Sequence, residues 1–346
     1  MRKIAVIALL AIAGAALVSY GSYKMQKNAS LQQVPGYVEE AFQTWIKTHS
    51  KVYATPQELN FRRGVFLQNY FTVLNHNKRN LSYKTALNLF ADLTLEEFAN
   101  KYTGVKVPQN TQKNVKSIET YGLTQISSSV DWRKNGVVNP VKNQGSCGSC
   151  WAFSATSAVE SAWALAGKGL YNLAEQQLVD CAGTTGNYGC NGGWMDWAFE
   201  YLISVGGQEQ TSVYPYTAQD GNCKFQKSLV TASISSFYDV PQNQCQQLQL
   251  AVAKTPVSVA IQVISSFQFY SSGIYSGAGC GTSLNHGVTV VGYNIQDWTT
   301  VGQNYWIVRN SWGATWGEQG YIRMDSAVQA PNGICGICMV ASYPIL

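Results

Sequence analysis

Residues 144–151 read Gln144-Gly-Ser-Cys147-Gly-Ser-Cys150-Trp151 and run without a break into Ala152-Phe-Ser-Ala-Thr-Ser-Ala-Val-Glu160, an Ala-rich segment with bulky residues at helical spacing. The glycines mark a turn, and the spacing predicts a helix from Cys150 to about Lys168, ended by Gly167 and Gly169. A thiol is a useful nucleophile only as thiolate, and the amide dipoles at a helix start favour negative charge. Cys150 is therefore a candidate nucleophile, provided that a base exists elsewhere in the chain.

The base follows by elimination. The 346 residues contain three histidines, His49, His76 and His286. The first two fall in an upstream part expected to be removed, which leaves His286 as the imidazole partner. A third group must fix the imidazole tautomer. Asn310, in Asn310-Ser-Trp312-Gly, suits that role, with Trp312 and Trp316 able to shield it. For the oxyanion of acyl transfer, the Cys150 N–H and the side-chain amide of Gln144 are the expected donors.

Working upstream, Arg2-Lys3 and the apolar run Ile4–Val18 read as a secretory signal over residues 1–22. Left uncut, Ile4–Tyr23 would be roughly long enough to anchor the chain in a bilayer. Residues 35–80 read as helices. Within them Glu58, Arg62, Phe66, Asn69, Val73 and Asn77 share one helical face, a mixture odd for a simple amphipathic helix. Ala86-Leu-Asn-Leu-Phe-Ala-Asp92-Leu-Thr94 reads as strand-like, followed by a short helix near Phe98, and residues 104–128 as a polar linker open to nicking. Beyond residue 230, Pro256–Ile261, His286–Val291, Asn304–Val308 and Gly320–Arg323 read as strands. A helical half and a β-rich half imply a cleft between two lobes.

Charge is uneven. Residues 1–125 carry 15 Lys+Arg and 7 Asp+Glu, and residues 126–346 carry 9 and 12, against a net +5 overall. The basic part has no basic run, so nucleic acid is not an expected partner; its acidic partner is the rest of the chain. Protonation of carboxylates should weaken that attraction, so self-processing is expected to quicken as pH falls. All nine cysteines lie at or after Cys147. An oxidising compartment permits disulfides, and the odd count leaves a thiol over. Cys147-Gly-Ser-Cys150 is also a C-x-x-C, but a redox dithiol would need a βαβ context and leave His286 and Asn310 idle. Cys335-Gly-Ile-Cys338 lacks a second pair for zinc, so no metal or cofactor is expected.

Taken together, the segment Gln144–Trp151, His286 and Asn310 resemble the papain/cathepsin nucleophile signature with its downstream partners. The six-residue stripe from Glu58 to Asn77 is similar to the ERFNIN helix of cathepsin L-type propeptides, with Val73 in place of Ile. Ala86–Asp92 resembles their G-x-N-x-F-x-D motif, with Ala86 for Gly. Ser129-Val-Asp-Trp132, Cys190-Asn-Gly-Gly193, Gly273-Ile-Tyr275, Asn310-Ser-Trp-Gly-x-x-Trp-Gly317 and Ala341-Ser-Tyr-Pro344 extend the match over nearly all of residues 35–346.

The resemblance implies an α+β, papain-like two-lobed fold, a helical lobe plus a β-barrel-like lobe, behind a mainly helical inhibitory propeptide. Residues 23–125 would be the propeptide and 126–346 the peptidase, with processing near residues 123–127. It implies a cysteine endopeptidase made as an inactive precursor, acting on protein and peptide substrates, inhibited by its own propeptide and monomeric. The secretory pathway would deliver it to a lysosome-like or digestive vacuole, or outside the cell. Substrate would meet Gly192, Gly193, Trp194, Met195, Ala260, Asn285, Trp312 and, at the floor of the S2 pocket, Val340. That apolar floor implies a hydrophobic preference two residues before the scissile bond. Asn285 stands where relatives often carry an acid. Expected disulfides are Cys147–Cys190, Cys181–Cys223 and Cys280–Cys335; Cys245 and Cys338 fall outside the usual pattern and are left as a fourth bridge. A silent homologue serving as a binding or storage protein is the alternative, although Cys150, His286 and Asn310 are all present.

Overall fold

Residues 36–78 form α1 (Gly36–Thr48), which buries Val38, Phe42 and Trp45 on one face, and α2 (Pro56–Lys78), whose apolar residues are not gathered on one face. The computed structural model describes residues 35–111, 114–116, 126–327 and 330–346. The signal reading and the processing stretch up to residue 125 lie outside these. The chain divides into two compact units, residues up to Asn75 with Ala91–Leu93, and His76–Phe90 with Thr94–Leu346.

In the first unit, Phe66 packs on Phe42 and Trp45 with ring centroids 5.1 and 5.3 Å apart. The polar members of the α2 stripe are explained by backbone they satisfy. Arg62 donates to Asp92 O at 3.1 Å, and Asn69 Nδ2 donates to Ala91 O and Leu93 O at 2.9 and 3.0 Å. Asp92 itself accepts from Lys51 and Tyr53, both at 3.0 Å.

The second unit begins with β1 (Tyr83–Thr85). Asn77 holds it, donating to Thr85 O at 2.6 Å and accepting from Thr85 N at 3.0 Å. The strand thus precedes the stretch expected from sequence; residues 86–94 are coil and turn. Their alternation arises because Asn88 is spent on tertiary bonds, accepting from Phe90 N at 3.0 Å and donating to Gln268 O at 2.7 Å. Thr94 and Glu97 form a reciprocal cap for α3 (Leu95–Tyr102), with bonds of 3.1 and 3.0 Å.

The remaining elements are β2 (Ser129–Asp131), α4 (Cys150–Leu165), α5 (Glu175–Cys181), α6 (Met195–Val205), β3 (Ser236–Asp239), α7 (Cys245–Val252), β4 (Val257–Ile261), α8 (Ser265–Gln268), β5 (Tyr270–Tyr275), β6 (His286–Asn294), β7 (Tyr305–Arg309), β8 (Tyr321–Asp325) and β9 (Ala341–Ile345). Strand order is β1-β5-β8-β7-β6-β4-β9-β3, with β2 on β6. Every residue from Cys150 to Ser161 is buried, because α4 lies between the sheet on one side and α5 and α6 on the other. That is why its sequence is Ala-rich all round rather than striped.

Two registers position the site. β4 pairs β6 with Ile261 opposite His286, and β6 pairs β7 with Thr289 opposite Arg309, so Asn310 and Trp312 run back toward the start of β6. Gly287, next to His286, lies against the first turn of α4: a Cβ there would come within 3.3 Å of Cys150 O and Trp151 Cα.

Three buried ionisable groups, Glu160, Glu175 and Arg309, meet the partly buried Lys142 beneath this junction. Lys142 Nζ reaches Glu160 at 2.7 Å, Glu175 at 2.6 Å and Leu173 O at 3.0 Å. Arg309 lies 3.8 Å from Glu160 and donates to Ser157 Oγ and Pro140 O at 2.7 and 2.6 Å.

Candidate active site

Cys150 opens α4, is fully buried, and is the one free cysteine among the described residues. Its Sγ accepts from Gly287 N at 3.4 Å. His286, also fully buried, meets Asn310 Oδ1 through Nε2 at 2.8 Å. Asn310 Oδ1 also accepts from Ser311 N at 2.8 Å, so the oxygen is fixed and the imidazole carries its proton on Nε2. His286 Nδ1 has no hydrogen-bond partner among the described residues. The Trp312 ring stacks on the imidazole at 4.7 Å and 28°.

Gln144 is fully buried, and its amide is oriented by three bonds. Oε1 accepts from Ser311 Oγ at 2.6 Å, while Nε2 donates to Cys147 O at 2.8 Å and Tyr102 O at 3.2 Å. The sequence quoted Ser311 within a motif without giving it this role.

The largest departure from the sequence reading concerns residues 104–106, the start of the expected polar linker 104–128. They lie across the site. Gly104 N and Val105 N donate to Asn285 O at 3.0 Å each, Gly193 N donates to Gly104 O at 2.8 Å, and Lys106 N donates to Gly193 O at 2.9 Å. A Cβ on Gly104 would overlap Gly148 O, so no other residue could pass so close. Tyr102 O, just upstream, accepts from Trp312 Nε1 at 3.0 Å, and Phe90 and Phe98 pack edge-on to the Trp312 ring. Backbone bonds and rings, rather than opposite charges, hold this segment down. The available sequence signal was Gly104-Val105-Lys106-Val107, two branched aliphatic residues after a glycine.

Val105 is buried in the same apolar cluster as Trp194, Met195, Ala260 and Val340. Gly192 also lies under this segment, since a Cβ there would overlap Gly104 O. Asn285 uses its amide on Val263, accepting from its N at 2.8 Å and donating to its O at 3.2 Å, and brings no charge to His286. Disulfides join Cys147–Cys190, Cys181–Cys223, Cys245–Cys338 and Cys280–Cys335.

Occlusion sets the protonation state. Burial pushes the Cys150 thiol up to about 11, with the Gly287 N–H pulling only partly the other way. Burial likewise holds His286 down to about 4, against the opposing effect of the Asn310 bond. Burial thus favours the neutral form of each group.

A buried, unbridged cysteine at the start of α4, a buried histidine at the start of β6 and an upstream segment of the same chain laid over their neighbours suit a latent cysteine hydrolase. Residues 126–345 match the Papain family cysteine protease model, and residues 42–98 match the Cathepsin propeptide inhibitor domain (I29). The chain belongs to the papain family of cysteine proteases, with its inhibitory propeptide attached. It is 47% identical over 319 residues to the KDEL-tailed cysteine endopeptidase CEP2 of Arabidopsis thaliana, covering 89% of this chain and 87% of that one. With the probable cysteine protease RD21B of the same plant it shares 45% identity over 314 residues, 89% of this chain but 66% of the relative's length. Digestive procathepsin L2 from Tenebrio molitor larval midgut superposes with a TM-score of 0.82 at 38% identity, covering 89% of this chain and all of that one (100%).

Proposed function

We propose that Cys150 attacks the scissile carbonyl, that His286 serves as its base and then protonates the leaving amine, and that Asn310 holds the imidazole. The Cys150 N–H and Gln144 Nε2 receive the oxyanion. Lifting residues 104–106 returns water to the pair, which lowers the Cys150 pKa, raises that of His286 and lets the thiolate–imidazolium form arise. Cleavage near residues 123–127 frees residues 126–346 as the mature enzyme. Four disulfides suit passage through the secretory pathway to an acidic vacuole or out of the cell.

The observation that carries the specificity is Val105. Val105 of the propeptide is buried in one apolar cluster with Trp194, Met195, Ala260 and Val340, which supports reading the substrate's second residue before the scissile bond into the same place. Val340→Glu is expected to admit Arg at that position, raising kcat/KM for Arg-containing peptides about tenfold or more while lowering it for Val and Leu. Peptide libraries read the change; no gain with Arg removes Val340 from the pocket floor.

One experiment tests the whole reading. The purified precursor is incubated with an epoxide-type cysteine protease inhibitor at pH 7 and at about pH 4.5. Label is expected on Cys150 in acid, with release of a fragment ending near residue 125, and little label at pH 7. No label in acid establishes a silent homologue instead.

A further inference from the structure

Tyr216, in the connection between α6 and β3, belongs to none of the motifs read from the sequence. Its hydroxyl donates to the backbone carbonyl of Gln144 at 2.7 Å and lies 2.7 Å from Ser149 Oγ. A phenol has one hydrogen. With that hydrogen committed to Gln144 O, Ser149 is the donor in the second bond. One oxygen therefore ties both ends of the loop Gln144–Ser149.

Those ends matter because Gln144 carries one proposed oxyanion donor and Ser149 immediately precedes the other, the Cys150 N–H. Between them lie Gly145, at φ +60°, and Gly148, neither with a side chain to stiffen the backbone. Ser149 is fully buried, so its hydroxyl has no water to turn to if Tyr216 is lost. The Tyr216 ring is fixed in turn, edge-on to Phe153 of α4 at 4.9 Å and 86°. Ser311 holds the Gln144 side chain and accepts from Gln144 N at 2.8 Å, whereas Tyr216 holds the Gln144 carbonyl and the loop behind it. Burial pushes the phenol up, so it remains a donor throughout the working pH range.

We propose that Tyr216 is a positioning residue whose hydroxyl sets the separation of the two oxyanion donors. This rests on the assignment of Gln144 and the Cys150 N–H to the oxyanion. Oxyanion donors act only if they are placed to within tenths of an ångström of the developing charge.

Tyr216→Phe removes the hydroxyl and keeps the ring on Phe153. Precursors of this variant and of Ser149→Ala, Gln144→Ala and wild type are matured in trans by the wild-type enzyme and compared. For Tyr216→Phe, kcat for amide hydrolysis is expected to fall about tenfold with KM unchanged. Alkylation of Cys150 by iodoacetamide passes through no oxyanion, so its rate and pH profile should stay at wild type. Ser149→Ala should behave like Tyr216→Phe, and the double variant no worse than either. If Gln144→Ala leaves kcat intact, the oxyanion assignment fails and this inference with it. If Gln144→Ala lowers kcat but Tyr216→Phe and Ser149→Ala do not, the positioning role alone is overturned. Alkylation falling in step with hydrolysis also overturns it, since the tyrosine would then act on the thiol. Should Tyr216→Phe fail to fold, Ser149→Ala removes the same bridge and decides the matter.

Discussion

Cys150→Ser is expected to abolish self-processing and to lower peptide hydrolysis by the matured enzyme on the order of 10⁴- to 10⁶-fold, and adding His286→Ala should cost almost nothing more. The reason is that the two groups act as one unit. The imidazole has no work once there is no thiol to deprotonate, and the thiol is a poor nucleophile without the imidazolium beside it. Serine differs from cysteine by one atom, and Cys150 is in no disulfide, so the melting temperature should barely move. His286→Ala is a different case for stability, because it empties a fully buried site against Trp312. Kinetics of both single variants and the double variant, matured in trans, check this. Multiplicative losses would mean that the two residues contribute independently and would remove His286 from its role as base.

Lys142→Met is expected to destabilise the mature domain by about 3–5 kcal/mol at pH 7, lowering its melting temperature by about 10 °C. The methionine fills similar space, so the loss is electrostatic: Glu160 and Glu175, both buried, lose the ammonium that faces them. Burial alone would pull Lys142 down, but Glu175 and Glu160 outweigh it and hold the ammonium above its ordinary range. Burial pushes Glu175 up, partly offset by Lys142. A group raised in the folded state binds its proton more tightly there than when unfolded, so its contribution to stability is present in acid and is lost as pH rises through the folded value. The penalty of Lys142→Met should therefore shrink at pH 5, toward the protonated form of Glu175 that burial favours. Thermal unfolding in an inactive Cys150→Ser background at both pH values reads this; an equal penalty at pH 5 and 7 would point to packing instead.

Much of this site was legible because its chemistry needs rare residue types. With three histidines in the chain, elimination nominates His286 as the partner of Cys150, and the Ala-rich helix does begin at that thiol. The polar stripe of α2 was visible as an anomaly, but its cause was not: Arg62 and Asn69 serve the carbonyls of residues 91–93, a tertiary relation that carries no local pattern. The strand-like look of Ala86–Thr94 misled because alternation also results when a turn spends its polar side chains on distant backbone. Residues 104–106 were illegible for a related reason. They bind through their own N–H and C=O groups, which every residue possesses, so composition says nothing about it. Tyr216 escaped because a tyrosine in a loop is ordinary until its hydroxyl is seen between two carriers of the site.

The order of the strands has a further consequence. β1 sits at one end of the sheet, on β5, and residues 114–116 sit at the other, on β3, where Asn114 N donates to Asp239 Oδ2 at 2.8 Å and Lys116 N to Asp239 O at 3.0 Å. Both of these outermost segments lie upstream of residue 126. Cleavage there, as proposed, bares two edges at once, each a row of unpaired amides able to recruit another chain. What protects the mature enzyme is then local. β5 carries Gly273 at φ +94°, a kink that spoils a flat template, and β3 is four residues long and followed closely by Pro241. On that cleavage the propeptide would cover both sheet edges as well as the thiol, and a glycine and a proline would be left to blunt those edges afterwards.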